Sequence, residues 1–479
     1  MNIEKILLIN PPYSYEKQLG FLSHNSPKVP PMGLLSLGSF MSQKGFSVKI
    51  IDAQTLNLDE GDILRNIESY RPQLIGYTSV TLNISDASRL AKKVRDIHKG
   101  IINVAGGVHI SALPEQTLRK YPYFDYAVIG EGEITFYELV NALNLARGIE
   151  KVKGLGFINK EGKYIFTGTR EFISNLDDLP AEDWELIDGL NKIYHPALPL
   201  IKKLPSATLI TGRGCIGRCI FCSTNFLEGK KLRIFSADRV VQNIDKLYNK
   251  YGIRDISFYD VNFMVNRQRF FDITQSIRKN YPKLTWSGYA RIDCVDRDML
   301  KQAKETGCYH ISYGIESGND EMLKFIKKGI TKARARDVIN MTRKAGITTR
   351  GLFMFGHPTE TLDTLQDTLD FILELDLDDF HSTLFTPLPG TDIYSSASQY
   401  GDFDEDWDRM NIFNCLFIPK GLDQETLEKY QKKAYTSFYL RPGTIIKKII
   451  QLGKNKYAPR ILFYGGISLL YLMFSKKKN

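Results

Sequence analysis

The sequence predicts an α/β protein with two parallel-strand units in series: a doubly wound domain, then a partial (βα)6 barrel with a mostly helical C-terminal extension. Three observations predict it. Short apolar runs alternate with helical patterns through the first third of the chain, the signature of a parallel sheet covered by helices. Six further strand-then-helix units follow Ser206. At 479 residues the chain is too long for one core and fits two or three.

Lys5-Ile-Leu-Leu-Ile-Asn10 reads as a buried strand ended by Pro11 and Pro12. Pro31 to Met41 opens on proline and carries apolar residues at helical spacing. Ser47–Asp52 and Gln73–Val80 are the second and third strands, and Ser85–His98 the helix after them. Ile101–Gly107 is the fourth strand and Tyr126–Gly130 the fifth. Ligands of such sheets bind beyond the carboxyl ends of the strands. Those ends carry Asn10-Pro11, Ser79-Val-Thr81, Gly106-Gly107-Val-His109 and Gly130-Glu131-Gly132-Glu133. Glycines there let backbone approach a bulky ligand, or simply turn tightly. Asp96-Ile-His98 imitates a histidine-ligand motif, but its glycine falls one residue early, so His98 reads as a helix end.

Domain boundaries are expected at 1–145, 146–205, 206–395 and 396–479. The second of these is a connector with a hairpin at Gly154–Phe166, turned by Asn-Lys-Glu-Gly. Barrel strands are expected near 207–211, 254–260, 284–290, 309–314, 348–355 and 380–386. Asp238–Lys250 and Thr361–Glu374 are among the intervening helices. Chemistry in βα barrels lies at the carboxyl ends of the strands. After the first strand and a Gly-Arg-Gly turn comes Cys215-Ile-Gly-Arg-Cys219-Ile-Phe-Cys222. A tetrahedral zinc site needs a fourth ligand, and no cysteine or paired histidine lies nearby. Three thiolates suit a four-iron cluster with one open iron; a zinc knuckle and three buried thiols are the alternatives. Cys294, Cys308 and Cys415 are isolated and read as packing residues, with a catalytic thiol left open for Cys415.

CxxxCxxC with Phe221 before the last cysteine resembles the signature of radical S-adenosylmethionine (SAM) enzymes. The asparagine–proline opening, GGxH and GEGE resemble the cobalamin-binding members of that family, including methyltransferases and the anaerobic porphyrin cyclase branch. The resemblance implies a Rossmann-like cobalamin-binding domain ahead of a radical SAM partial (βα)6 barrel. It implies a [4Fe-4S] cluster on Cys215, Cys219 and Cys222 that cleaves SAM to a 5′-deoxyadenosyl radical. For SAM contacts it suggests Phe221, Asp260, Asn262, Arg291 and Glu316. For cobalamin it suggests Asn10, Pro11, Ser79, Thr81, Gly106, Gly107, His109, Gly130, Glu131 and Gly132, without a histidine ligand. The fifth strand end reads Gly356-His357-Pro-Thr359-Glu360, where the family more often has GxPGE, so no role passes to His357. The implied reaction is methyl transfer to an unactivated carbon or phosphorus centre, with remethylation of the corrinoid by a second SAM. A radical oxidoreductase or cyclase is the alternative, and an iron–sulfur sensor or scaffold the non-enzymatic one.

The net charge of +10 is concentrated: residues 441–479 hold nine Lys or Arg and no Asp or Glu. The preceding chain is near neutral, which excludes a nucleic-acid-binding face there. Cysteine usage implies a reducing compartment, and Met1-Asn-Ile-Glu-Lys is not a secretion leader. The expected location is the cytoplasm. The apolar stretch Ile461–Phe474 before Lys476, Lys477 and Lys478 is too short to span a bilayer. It reads either as a helix packed on the barrel or as a peripheral membrane contact, the latter favouring a lipid-like substrate over another small molecule. An electron donor such as flavodoxin or ferredoxin is implied by the cluster.

Overall fold

The computed structural model describes residues 2–13, 26–197, 200–411, 414–453, 457–459, 462–463 and 466–467. The first sheet contains β1 (Lys5–Asn10), β2 (Ser47–Asp52), β3 (Leu74–Thr78), β4 (Ile102–Gly106) and β5 (Tyr126–Val128). These five are parallel, in the order β2-β1-β3-β4-β5. β1 shows why the run is continuously apolar. Ile6 and Leu8 enter one core, with α1 (Met32–Gln43) and α4 (Gly132–Asn144). Leu7 and Ile9 enter the other, with α2 (Glu60–Tyr70) and α3 (Ile84–Ile97). A strand covered on both faces has no polar side to show.

The expected hairpin forms as β6 (Leu155–Ile158) and β7 (Tyr164–Phe166), antiparallel to each other. It does not stand apart as a connector. Gly156 pairs with Ala127, so the hairpin extends the first sheet and covers the edge that β5 would expose.

The second sheet is wholly parallel. Its strands are β8 (Ser206–Leu209), β11 (Asp255–Phe258), β12 (Thr285–Ala290), β13 (Cys308–Glu316), β14 (Thr348–Phe355) and β15 (Asp379–Leu384), paired in that order. Between β8 and β11 lies a small ribbon, β9 (Gly212–Arg213) with β10 (Arg233–Ile234). Six strands in sequential order make an open half-barrel. The outer helices are α5 (Ala237–Asn249), α6 (Arg267–Asn280), α7 (Arg297–Glu305), α8 (Lys332–Lys344) and α9 (Leu362–Glu374). Each is started by a polar cap, Ser236, Asn266, Asp296, Thr331 or Thr361, accepting from a backbone N–H in its first turn.

The extension begins with a ribbon of β16 (Gly401–Phe403) and β17 (Phe417–Pro419), then α10 (Gln424–Tyr439) and α11 (Pro442–Leu452). Tyr435 and Phe438 of α10 pack on Phe380 of β15. Among the described residues no helix is long and apolar enough to cross a membrane. Most of the apolar stretch 461–474, and Lys476–Lys478, lie outside the described residues.

Candidate active site

The cysteine loop leaves β8 through Thr211 and the β9 ribbon. Gly214 has φ +87°, and a Cβ there would collide with the Lys231 carbonyl, so only glycine fits the turn. Its N–H donates to the Glu228 carboxylate at 2.8 Å. Cys215 and Cys219 are buried, Cys222 is half-buried, and all three thiols are free. The Gly217 N–H donates to Cys215 Sγ at 3.3 Å. Ile220, between the second and third cysteines, donates to the Ile326 carbonyl and accepts from Ile393 N–H, each at 3.2 Å. The loop is therefore tied to the segments that follow β13 and β15. Among the described residues no three His, Cys, Asp or Glu side chains converge on a single-ion position. A cubane cluster asks for less, since its three thiolates bind three different irons.

The strand ends around this loop carry the expected SAM residues. Asp260 is buried and accepts from Thr211 N–H and Oγ1 at 2.8 and 3.0 Å, which steers the exit of β8. Burial raises its carboxyl to about 6, against the pull of Arg269. Asp260 Oδ2 has no hydrogen-bond partner, and the buried Asn262 Nδ2 has only the Cys294 thiol within reach. Such orphans are rare unless a ligand completes them. The amino-acid end of SAM carries both a donor and an acceptor, so this pair fits it.

Arg291, expected among the SAM contacts, is already engaged within the protein. Its Nε and Nη2 already bind Asp293 at 2.9 and 2.8 Å, and Nη1 lies against Gly217 of the cysteine loop. Burial alone would lower its pKa; the Asp293 pairing raises it well above the ordinary value. Glu316 sits at a bulge with φ +76°. It receives Lys328 Nζ at 2.7 Å, and Gly314 leaves the room for this pair. Lys328 is buried, and the charges of Glu316 and Cys219 hold it protonated despite that. The sequence reading missed it. Phe221 is half-buried, its ring 6.5 Å from that of His357. His357 is fully buried with no hydrogen bond of ordinary geometry, the Glu316 backbone being its nearest partner. Burial lowers it to about 4, so it is neutral. Glu360 accepts from the N–H groups of Gly356 and His357 at 2.6 and 2.9 Å.

The carboxyl ends of the first sheet face the same region. Asn10 donates to Asp52 at 2.8 Å, beside the buried Pro11. Ser79 Oγ donates to the Gly106 carbonyl, and Gly107, at φ +98°, admits no Cβ because Ser79 backbone lies 2.6 Å away. Gly130, at φ +82°, has open space in front of it, and Gly132 opens α4.

His109, expected near cobalamin, is turned into the core. Its ring nitrogens meet Thr81 Oγ1 at 3.2 Å and Thr117 Oγ1 at 3.1 Å, and Trp407 of the extension covers the ring at 4.6 Å. It is a core residue, held neutral by burial, with its pKa lowered to about 4. Thr81 is likewise turned to this contact. Glu131 also serves another purpose: it binds Arg213 and Arg233 at 2.9 and 2.8 Å. Glu133 binds Arg213 at 2.6 Å and accepts from Ser36. Burial would raise the Glu133 carboxyl, but Arg213 holds it below its ordinary value. This quartet, with Glu133 buried and the other three half-buried, joins the first sheet to the β9–β10 ribbon that launches the cysteines. Beside it lies a largely apolar cavity of about 540 Å³, bordered by Ser111, Gly130, Ile134, Tyr164 and, from beyond the cysteine loop, Phe226. Cys294 follows Arg291 beside Asp293, Cys308 is buried at the start of β13, and Cys415 is half-buried before β17.

Residues 23–140 match the family model for the B12 binding domain, and residues 209–372 that of the Radical SAM superfamily. An uncharacterized methyltransferase of Pyrococcus horikoshii is 33% identical over 94% of this chain and 96% of its own. The anaerobic magnesium-protoporphyrin IX monomethyl ester cyclase of Rubrivivax gelatinosus is 25% identical, covering 86% of this chain and 74% of the cyclase. Among solved structures, the cobalamin-dependent SAM radical enzyme OxsB with aqua-cobalamin and SAM bound has a TM-score of 0.76 at 18% identity. That match covers 99% of this chain and 72% of OxsB. Half-barrel and cysteine loop thus define a radical SAM enzyme. The chain belongs to the cobalamin-binding radical SAM family, in which methyltransferases stand beside the anaerobic cyclase branch. Its cofactors are cobalamin, SAM and a [4Fe-4S] cluster.

Proposed function

We propose that this chain transfers a methyl group to an unactivated carbon or phosphorus centre of a lipid-like small molecule. The supporting observation is the ionic joint of Glu131 and Glu133 with Arg213 and Arg233, which fixes the two ligand-bearing edges against each other. Reaction between two bound groups depends on such fixed orientation. When bound, the three cofactors supply a carbon radical and a transferable methyl group.

The chain's own part is holding and orienting. Cys215, Cys219 and Cys222 carry the cluster. Arg291 and Lys328 offset the negative charge of the thiolates. Asp260 and Asn262 take the amino-acid end of SAM, and Phe221 borders it. Gly106, Gly130 and the adjoining cavity leave room for the corrinoid. A flavodoxin or ferredoxin serves as electron donor.

The test is anaerobic reconstitution with cobalamin, SAM and reductant, followed by feeding fractionated lipids and metabolites. A product heavier than its precursor by one methyl group, with 5′-deoxyadenosine release, is expected. Ring closure without methyl gain would instead support the cyclase reading, which the Rubrivivax relative favours. Protein that released no 5′-deoxyadenosine with any fraction would point to an iron–sulfur sensor.

A further inference from the structure

Helix α11 is mounted with its polar side inward. Thr444 is buried, Lys447 pairs with Asp376, and Lys448 lies 3.7 Å from Asp379. The isoleucines take the other arc: Ile445, Ile446, Ile449 and Ile450 are 43, 56, 62 and 59% exposed. Spacing of i, i+1, i+4 and i+5 puts them on one face. Leu440, just before the helix, is half exposed as well. Surface helices ordinarily turn their apolar stripe to the core, and a contiguous apolar patch in water marks a contact surface.

Charge decides what covers it. From Lys429 to Asn479 the sequence has twelve Lys or Arg and no Asp or Glu. A fitting partner is apolar where it meets the isoleucines and anionic around them. A bilayer with acidic headgroups is both. Leu462, in the apolar stretch that follows, is 57% exposed, so this character is not withdrawn into the core there. We propose that α11 is an interfacial helix that lays Ile445, Ile446, Ile449 and Ile450 on an anionic lipid surface. Asp376 and Asp379 stand at the amino end of β15, the pole opposite the cysteine loop. The docked enzyme therefore keeps its mouth toward water, and docking localises the protein rather than burying the site. The inference is independent of the reaction catalysed.

The test is cosedimentation of the full chain with vesicles of phosphatidylglycerol or of phosphatidylcholine. Binding to the anionic vesicles is expected to be about tenfold or more stronger and to fall at high salt. The double variant Ile446→Asp with Ile449→Asp is expected to lose about tenfold or more of that binding, with 5′-deoxyadenosine release in solution unchanged. Wild-type protein remaining in the supernatant, or a variant that binds equally well, overturns the proposal. Two results without vesicles do so too. One is a dimer in sedimentation velocity that the double variant abolishes, which assigns the face to a second copy. The other is an Ile449→Cys thiol closed to maleimide, which assigns it to the following segment of the same chain.

Discussion

Cys219 sits between two cations that do not face water. Burial raises its thiol, while Lys328 and Arg291 pull it back. Cys219→Ala is expected to abolish cluster assembly and SAM cleavage together, read as iron content and 5′-deoxyadenosine. The Lys328–Glu316 pair behaves differently. Either single change, Lys328→Met or Glu316→Gln, leaves a buried charge without its partner and is expected to cost about 3–5 kcal/mol. The double variant should recover about 2 kcal/mol of the summed loss in denaturant unfolding. Glu360 gives a pH test. Burial pushes its carboxyl up to about 7 from an ordinary 4.5. Across that interval the folded chain keeps a proton the unfolded chain has lost, so stability falls as pH rises. Stability of the wild type relative to Glu360→Gln is expected to drop by about 2.5 kcal/mol between pH 5 and 8. The cysteines were legible in the sequence because their chemistry is local, three thiols in eight residues. Lys328 was not: nothing in Lys327-Lys328 says that one lysine turns inward to a carboxylate twelve residues back. The surroundings of His109 are not legible either, because its partners, Thr117 and Trp407, are invisible from a GGxH at a strand end.

The six barrel strands were legible to within about two residues at each end, and the two outer helices placed from the sequence, near 238–250 and 361–374, open on the caps Ser236 and Thr361. The cysteine loop shows what an element adds. Its path depends on Gly214, whose φ of +87° brings it against the Lys231 carbonyl. Gly214→Ala should fold but lose most of its iron after reconstitution, measured against the wild-type iron and sulfide content. The hairpin at 155–166 was recognised, yet its attachment to β5 was not. A turn signal fixes a hairpin's own register and leaves open which edge it joins.

At the scale of the molecule, the first sheet meets the β9–β10 ribbon of the half-barrel through the largely shielded Glu131, Glu133, Arg213 and Arg233 quartet. The GEGE sequence suggested ligand contact at a strand end; the carboxylates instead grip the neighbouring unit, a partner eighty and more residues away. Arg213→Met is expected to destabilise the protein by about 3–5 kcal/mol, with reduced 5′-deoxyadenosine formation from a loop no longer held. Catalysis in this enzyme requires a cluster with one iron left open to SAM beside that junction. Mössbauer spectroscopy of anaerobically reconstituted, iron-enriched protein tests this most directly. A unique iron site whose isomer shift changes when SAM is added is the expected result. Zinc in place of iron, or a cluster whose irons all stay unchanged by SAM, would contradict it.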